Sequence, residues 1–143
     1  MYTRLISNVL FPIHERLKGH QSVAVRRRLE REQWHTAEQI ERDRCERLRS
    51  FLVRAGQRVP HYRQLFEDTG FEPAGLESIA DLAALPLLDK AAIRHNTEAL
   101  KADDAIGLQP FNTGGSSGEP LTFYLSKERV SHDVAAKWRA TRW

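Results

Sequence analysis

Three glycines and three hydroxyl residues fall within six positions at Thr113-Gly114-Gly115-Ser116-Ser117-Gly118, ahead of Glu119 and Pro120. Glycine lets a backbone turn so that successive amide N–H groups converge, and a nest of that kind binds anionic oxygens. The hydroxyls of Thr113, Ser116 and Ser117 add donors, and no large side chain within the six obstructs a polyphosphate. The same composition suits an unliganded hairpin turn, so composition alone leaves both readings open. The segment is not a Walker A loop, because no Gly-Lys-Ser/Thr closes it and Leu121 stands where a lysine would be wanted. Glu119 reads as a turn residue, since a carboxylate there would repel the phosphates that the loop attracts.

No second group of residues offers comparable chemistry. His14, His20, His35, His61, His95 and His132 show no H-x-x-x-H or H-E-x-x-H spacing, so no metal site is expected. Cys45, the one cysteine, is expected on the polar side of a long helix, with no paired base to make it a nucleophile. No catalytic residue is assigned. Trp34, Trp138 and Trp143 are expected to be core or interface anchors.

The elements that must position the loop follow from periodicity and caps. Residues 3–11 put Leu5, Ile6, Val9 and Leu10 on one helical face, with Pro12 expected to interrupt the run. That face is expected to pack on its own protein; a membrane-surface helix flanked by Arg4, Arg16 and Lys18 is the alternative. A helix is expected over 22–34 and a longer one over 37–55. Thr36 and Gln39 form a capping box for the latter, Ile40, Leu48, Phe51, Leu52 and Ala55 line one face, and Gly56 supplies the stop. A short helix over 61–69 turns Tyr62, Leu65 and Phe66 inward and ends at Gly70. Ser78 and Asp89 can cap two further short pieces, and 102–108 reads as a connector. The period then changes, and Gln109–Asn112 and Leu121–Leu125 read as two strands around the glycine-serine turn. Ser126 caps a last helix whose Val130, Val134, Trp138 and Thr141 share a face, and no stop signal precedes Trp143. The fold class is therefore α+β: mostly helical over 1–100, then a β-hairpin and a final helix.

Length and composition bound the rest. The chain has 143 residues, 41% hydrophobic and 29% charged, which suits one globular domain or part of one. No stretch nears the roughly 18 apolar residues of a membrane span, and no secretory signal is read, so a cytoplasmic protein is expected. Net charge is +3, with 14 Lys+Arg against 9 Asp+Glu in residues 1–69 and 8 against 10 in residues 70–143. Glutamates interrupt the arginine-rich stretches, as on a solvated, ion-paired helix face, so no nucleic-acid partner is expected. An arginine-rich helical interaction or nucleic-acid-binding module, with the loop incidental, is the alternative to an enzyme.

The segment from Thr113 through Pro120 to Leu121-Thr122-Phe123 resembles the phosphate-binding loop of adenylate-forming enzymes. The phenylacetate–CoA ligase-like branch, with its capsular polysaccharide biosynthesis relatives, is the nearest in pattern. Val59-Pro60-His61-Tyr62-Arg63-Gln64-Leu65-Phe66 and the run from Ile79 to Lys90 follow that branch's order of "VPYYR.LF", "DL..LP" and a lysine-led helix. Phe11-Pro12-Ile13-His14-Glu15-Arg16-Leu17-Lys18-Gly19 is also similar to the start of such proteins. The resemblance implies that residues 1–143 are the N-terminal portion of one α/β adenylate-forming domain. The adenine and ribose contacts, the acyl pocket and the C-terminal lid with its lysine would all lie downstream. It further implies activation of a small carboxylic acid through acyl-AMP, with ATP and Mg2+, and transfer to coenzyme A. The ATP phosphates would fall to Thr113, Gly114, Gly115, Ser116, Ser117 and Gly118, and residues 1–143 alone would be inactive. Two departures stand out: Leu121 replaces the lysine that many members carry after the loop proline, and Gly114 replaces a hydroxyl residue.

Overall fold

A computed structural model describes residues 5–114 and 120–141. Met1–Arg4, Gly115–Glu119, Arg142 and Trp143 lie outside the described residues. The chain forms two compact units, one of Met1–His35, Gly107–Gln109 and Tyr124–Trp143, the other of Thr36–Ile106 and Pro110–Phe123. The α+β expectation holds: the chain is mostly helical and carries one two-stranded antiparallel hairpin. No helix among the described residues is long and apolar enough to cross a membrane.

The first unit is built on helices α1 (Phe11–Leu17), α2 (Ser22–Glu32) and α6 (Lys127–Ala140), with a π-helical turn at Ile6–Leu10 leading into α1. Pro12 does not interrupt this run, as the sequence suggests it should. It follows closely on the π-helical turn, where the Phe11 N–H bonds to the Ile6 carbonyl, and the helix carries on through it without the proline N–H. Helix α2 packs along α6 through small residues, with Ser22, Ser131 and Ala135 all buried. The buried face of α6 is thus set one residue on from the expected Val130–Val134 face, and Val134 is exposed. A close helix approach selects the small side chains over the large ones.

Several polar groups in this interface are paired, while the buried Nε atoms of Arg26 and Arg139 have no hydrogen-bond partner among the described residues. Ser131 donates its hydroxyl proton to the Lys127 carbonyl (2.8 Å) and accepts from the Gln21 N–H (3.1 Å). Its only proton being committed, the 3.1 Å contact to His20 requires His20 Nδ1 to be the donor. Buried Glu15 accepts from the Ser22 hydroxyl. Phe11 meets the Trp138 ring edge-on at 5.0 Å, and the Arg26 guanidinium stands 3.9 Å from the Trp138 centroid. Trp138 is therefore an anchor as expected. Trp34 is not a core anchor, being 79% exposed, and Trp143 lies outside the described residues.

The second unit begins with helix α3 (Ala37–Arg58), whose Thr36–Gln39 capping box forms as expected. Helix α4 (Pro60–Thr69) follows and closes on Gly70 with φ +64°, a left-handed cap that glycine adopts without strain. The core gathers Leu52, Phe66 and Leu76, with Leu48, Tyr62, Leu65, Phe71, Leu82 and Leu85 around them. Ile40 and Phe51, expected on the inner face of α3, are exposed.

Gly56 does not stop α3. A Cβ there would lie 2.9 Å from Phe66 Cδ2, so the glycine admits the Phe66 ring. The helix ends at Arg58 because Val59, preceding Pro60, is driven to extended backbone (φ −113°, ψ 110°). Cys45 is also not on the polar side. It packs against the core and its thiol donates to the Glu77 carbonyl at 3.0 Å.

Two 3₁₀ turns (Pro73–Gly75 and Ile79–Ala84) and helix α5 (Lys90–His95) complete the helical part. Ser78 and Asp89 cap the last two as expected. Asp81 reaches back to accept from the N–H groups of Ser78 (2.9 Å) and Glu77 (2.8 Å), and these bonds hold its carboxyl below the usual aspartate value of 3.8. A lowered folded-state pKa stabilises above the unfolded value and is lost as pH falls through the folded one. The protection of the Glu77 and Ser78 amides, taken as the ratio of intrinsic to observed exchange rate, is therefore expected to hold above about pH 5 and to fall as pH drops below 3.8, a fall that Asp81→Asn removes.

Candidate functional site

Strand β1 (Gln109–Asn112) and strand β2 (Thr122–Leu125) form the hairpin that brackets the glycine-serine segment. Phe111 in the first strand and Thr122, Phe123 and Tyr124 in the second are types that favour the extended backbone. Phe111 stacks on Phe123 across the pair at 6.2 Å and 27°. On the opposite face the Thr122 hydroxyl donates to Asn112 Oδ1 at 2.9 Å.

The neck of the loop is closed twice between the same two residues. The Thr113 N–H donates to the Leu121 carbonyl at 3.0 Å, and the Leu121 N–H donates to Thr113 Oγ1 at 2.9 Å. Because Thr113 Oγ1 accepts in this bond, its own proton is left to be given elsewhere. The neck fixes where the segment starts and ends while leaving one donor at its mouth. Sequence reasoning did not identify this double closure. The polar pair Asn112/Thr122 and the hydroxyl residue Thr113, flanking the glycines, carry its only signal.

Of the six residues expected to receive phosphates, Thr113 and Gly114 lie together at the exposed end of β1. Gly115, Ser116, Ser117 and Gly118, with Glu119, lie outside the described residues. Gly114 is not in the left-handed region, and a Cβ there would meet nothing within 4 Å. Neither backbone strain nor crowding by the described residues requires glycine at 114. Gly114→Ala is expected to change stability by no more than about 0.5 kcal/mol in thermal unfolding, with any larger effect confined to ligand binding.

Elsewhere the arginine-rich faces are laced with ion pairs: Arg26–Glu30 (3.5 Å), Arg28–Glu32 (3.6 Å), Arg44–Glu41 (3.3 Å) and Arg129–Asp133 (3.1 Å). The Arg54 and Arg58 guanidiniums both reach Asp104, and Arg63 pairs with Asp103 at 3.0 Å. Among the described residues no three His, Cys, Asp or Glu side chains gather to hold a metal ion.

No family model matches the chain. Over 51 residues, 36% of its length, the chain is 43% identical to the phenylacetate-coenzyme A ligase of Aromatoleum evansii. Part of the chain is thus similar to a coenzyme A ligase. The matched stretch spans 12% of that ligase's length, well under two thirds of it.

Proposed function

We propose that this chain forms the front portion of an adenylate-forming, acid–CoA ligase-like domain, in which Thr113, Gly114, Gly115, Ser116, Ser117 and Gly118 receive the phosphates of ATP. The observation that carries the reading is the glycine-serine segment borne on a hairpin and pinned at its neck by Thr113 and Leu121. The partial identity to a coenzyme A ligase supports it.

The chemistry asks for such a loop. A substrate carboxylate oxygen attacks the α-phosphorus of ATP, forming an acyl–phosphate bond while the bond to the bridging oxygen breaks and pyrophosphate leaves with the electron pair. Anions are brought together in that step, and donors fixed beforehand screen the charge without reorganising. The Thr113 hydroxyl proton and the amides of the segment fill this role. The thiol of coenzyme A then displaces AMP from the acyl carbon. Leu121 offers no cation beside the loop, so positive charge comes from elsewhere in the site. No side-chain cluster of the described residues suits magnesium, which would accompany the nucleotide. In this reading the chain alone catalyses nothing.

The test is carboxylate-dependent exchange of labelled pyrophosphate into ATP by the protein at its full natural length. Exchange that requires an added carboxylic acid supports the reading. A folded full-length protein that exchanges nothing with any of a broad panel of aryl and alkyl acids contradicts it.

A further inference from the structure

The apolar face of the N-terminal helix is not covered. Leu5, Ile6, Val9, Leu10, Ile13 and Leu17 are all exposed, from 43% at Ile6 to 83% at Leu17. Within α1, at about 100° per residue, Leu10, Ile13 and Leu17 fall within an arc of roughly 60°, and the π-helical turn at Ile6–Leu10 carries Leu5, Ile6 and Val9 ahead of it. The packing of the same helix uses its other side, where Phe11 meets Trp138 and buried Glu15 accepts from Ser22. The expectation that this face packs on its own protein fails for the described residues, because Phe11 and Glu15 supply the inward contacts instead.

The charge of the unit bearing this face says what would cover it. That unit holds 12 Lys+Arg against 5 Asp+Glu, whereas the other holds 10 against 14. Arg16 lies at one edge of the apolar arc and Lys18 beyond the other, both exposed. Arg16, Lys18, Arg27 and Arg31 form no ion pair among the described residues. Trp34, 79% exposed in the same unit, adds an aromatic of the kind that settles at lipid headgroups. A second copy docking face to face would set two strongly basic units against each other. An anionic lipid surface answers both the apolar stripe and the positive charge.

We infer that the helical segment from Leu5 to Leu17 lies on anionic membrane surfaces, its stripe in the interface and Arg16 and Lys18 at the headgroups. The experiment is co-sedimentation of the chain with vesicles of phosphatidylglycerol mixed with phosphatidylcholine, and with phosphatidylcholine alone. Binding is expected to the anionic vesicles at low salt, to weaken as salt rises, and to be at least tenfold weaker on the neutral ones. Ile13→Asp, an outward position, is expected to cut binding at least tenfold with helix content unchanged by circular dichroism. Arg16→Gln with Lys18→Gln is expected to cut it about thirtyfold, at roughly fivefold per charge.

Absence of binding by the folded chain would overturn the inference. So would binding that Ile13→Asp leaves intact, or concentration-dependent self-association that Ile13→Asp abolishes. In the protein at full natural length, a fall in melting temperature for Ile13→Asp would mean that protein covers the stripe, and would overturn it equally.

Discussion

Gly115→Val and Ser116→Ala are each expected to lower carboxylate-dependent pyrophosphate exchange in the full-length protein by about one to two orders of magnitude. At position 115 a β-branched side chain would stand where the backbone is expected to turn against oxygens, and strain of that kind costs on the order of 1–3 kcal/mol. At 116 the change deletes one donor to a charged group, about 1.5–3 kcal/mol, or roughly ten- to a hundredfold in rate if the bond forms in the transition state. Ser126→Ala is the control. Its hydroxyl accepts from the Arg129 N–H and caps α6, so removal costs about 1 kcal/mol of stability and leaves exchange unchanged. If both loop variants remain folded and exchange at the wild-type rate, the segment is only a turn.

Leu76→Ala is expected to be the most destabilising single truncation in the second unit. Leu76 is 2% exposed and joins Leu52 and Phe66 in the core, while its carbonyl accepts from Arg49 Nε (2.9 Å) and Nη2 (2.6 Å). The backbone is thereby held in place, so the surroundings have little freedom to collapse into the space left. Truncations of this type cost about 2–5 kcal/mol, and a value near the upper end is expected. Thermal unfolding followed by circular dichroism reads it as a fall in melting temperature of at least about 5 °C. A fall of under about 2 °C would mean that Leu76 does not anchor this core.

What the sequence made legible is what depends on neighbours along the chain. The caps at Thr36, Ser78, Asp89 and Ser126 are local hydrogen bonds between residues two or three apart, and all four form. The change of period at Gln109 likewise marks the hairpin, since alternation is a property of the strand itself. What was not legible depends on neighbours across space. Gly56 looks like a helix stop until the Phe66 ring is seen against it. Cys45 sits among charges in the sequence, yet its thiol reaches Glu77, thirty-two residues on. The inward face of α6 is set by the close approach of α2, which favours Ser131 and Ala135 over the larger Val134. At the candidate site, the glycine-serine composition was legible and the closure of its neck by Thr113 and Leu121 was not, because a side-chain oxygen accepting from across the hairpin has no periodic trace.

The claim that the segment holds the phosphates of ATP is tested most directly by labelling the glycines with a nitrogen isotope in the full-length protein and titrating ATP while their amide resonances are followed. Gly114, Gly115 and Gly118 would report from the loop, and Gly56, Gly70 and Gly75, in or beside the helices of the second unit, serve as internal references. Saturable shifts are expected at the three loop glycines, reproduced by pyrophosphate alone, with the three references still. Loop glycines that stay unmoved at an ATP concentration supporting exchange would contradict it.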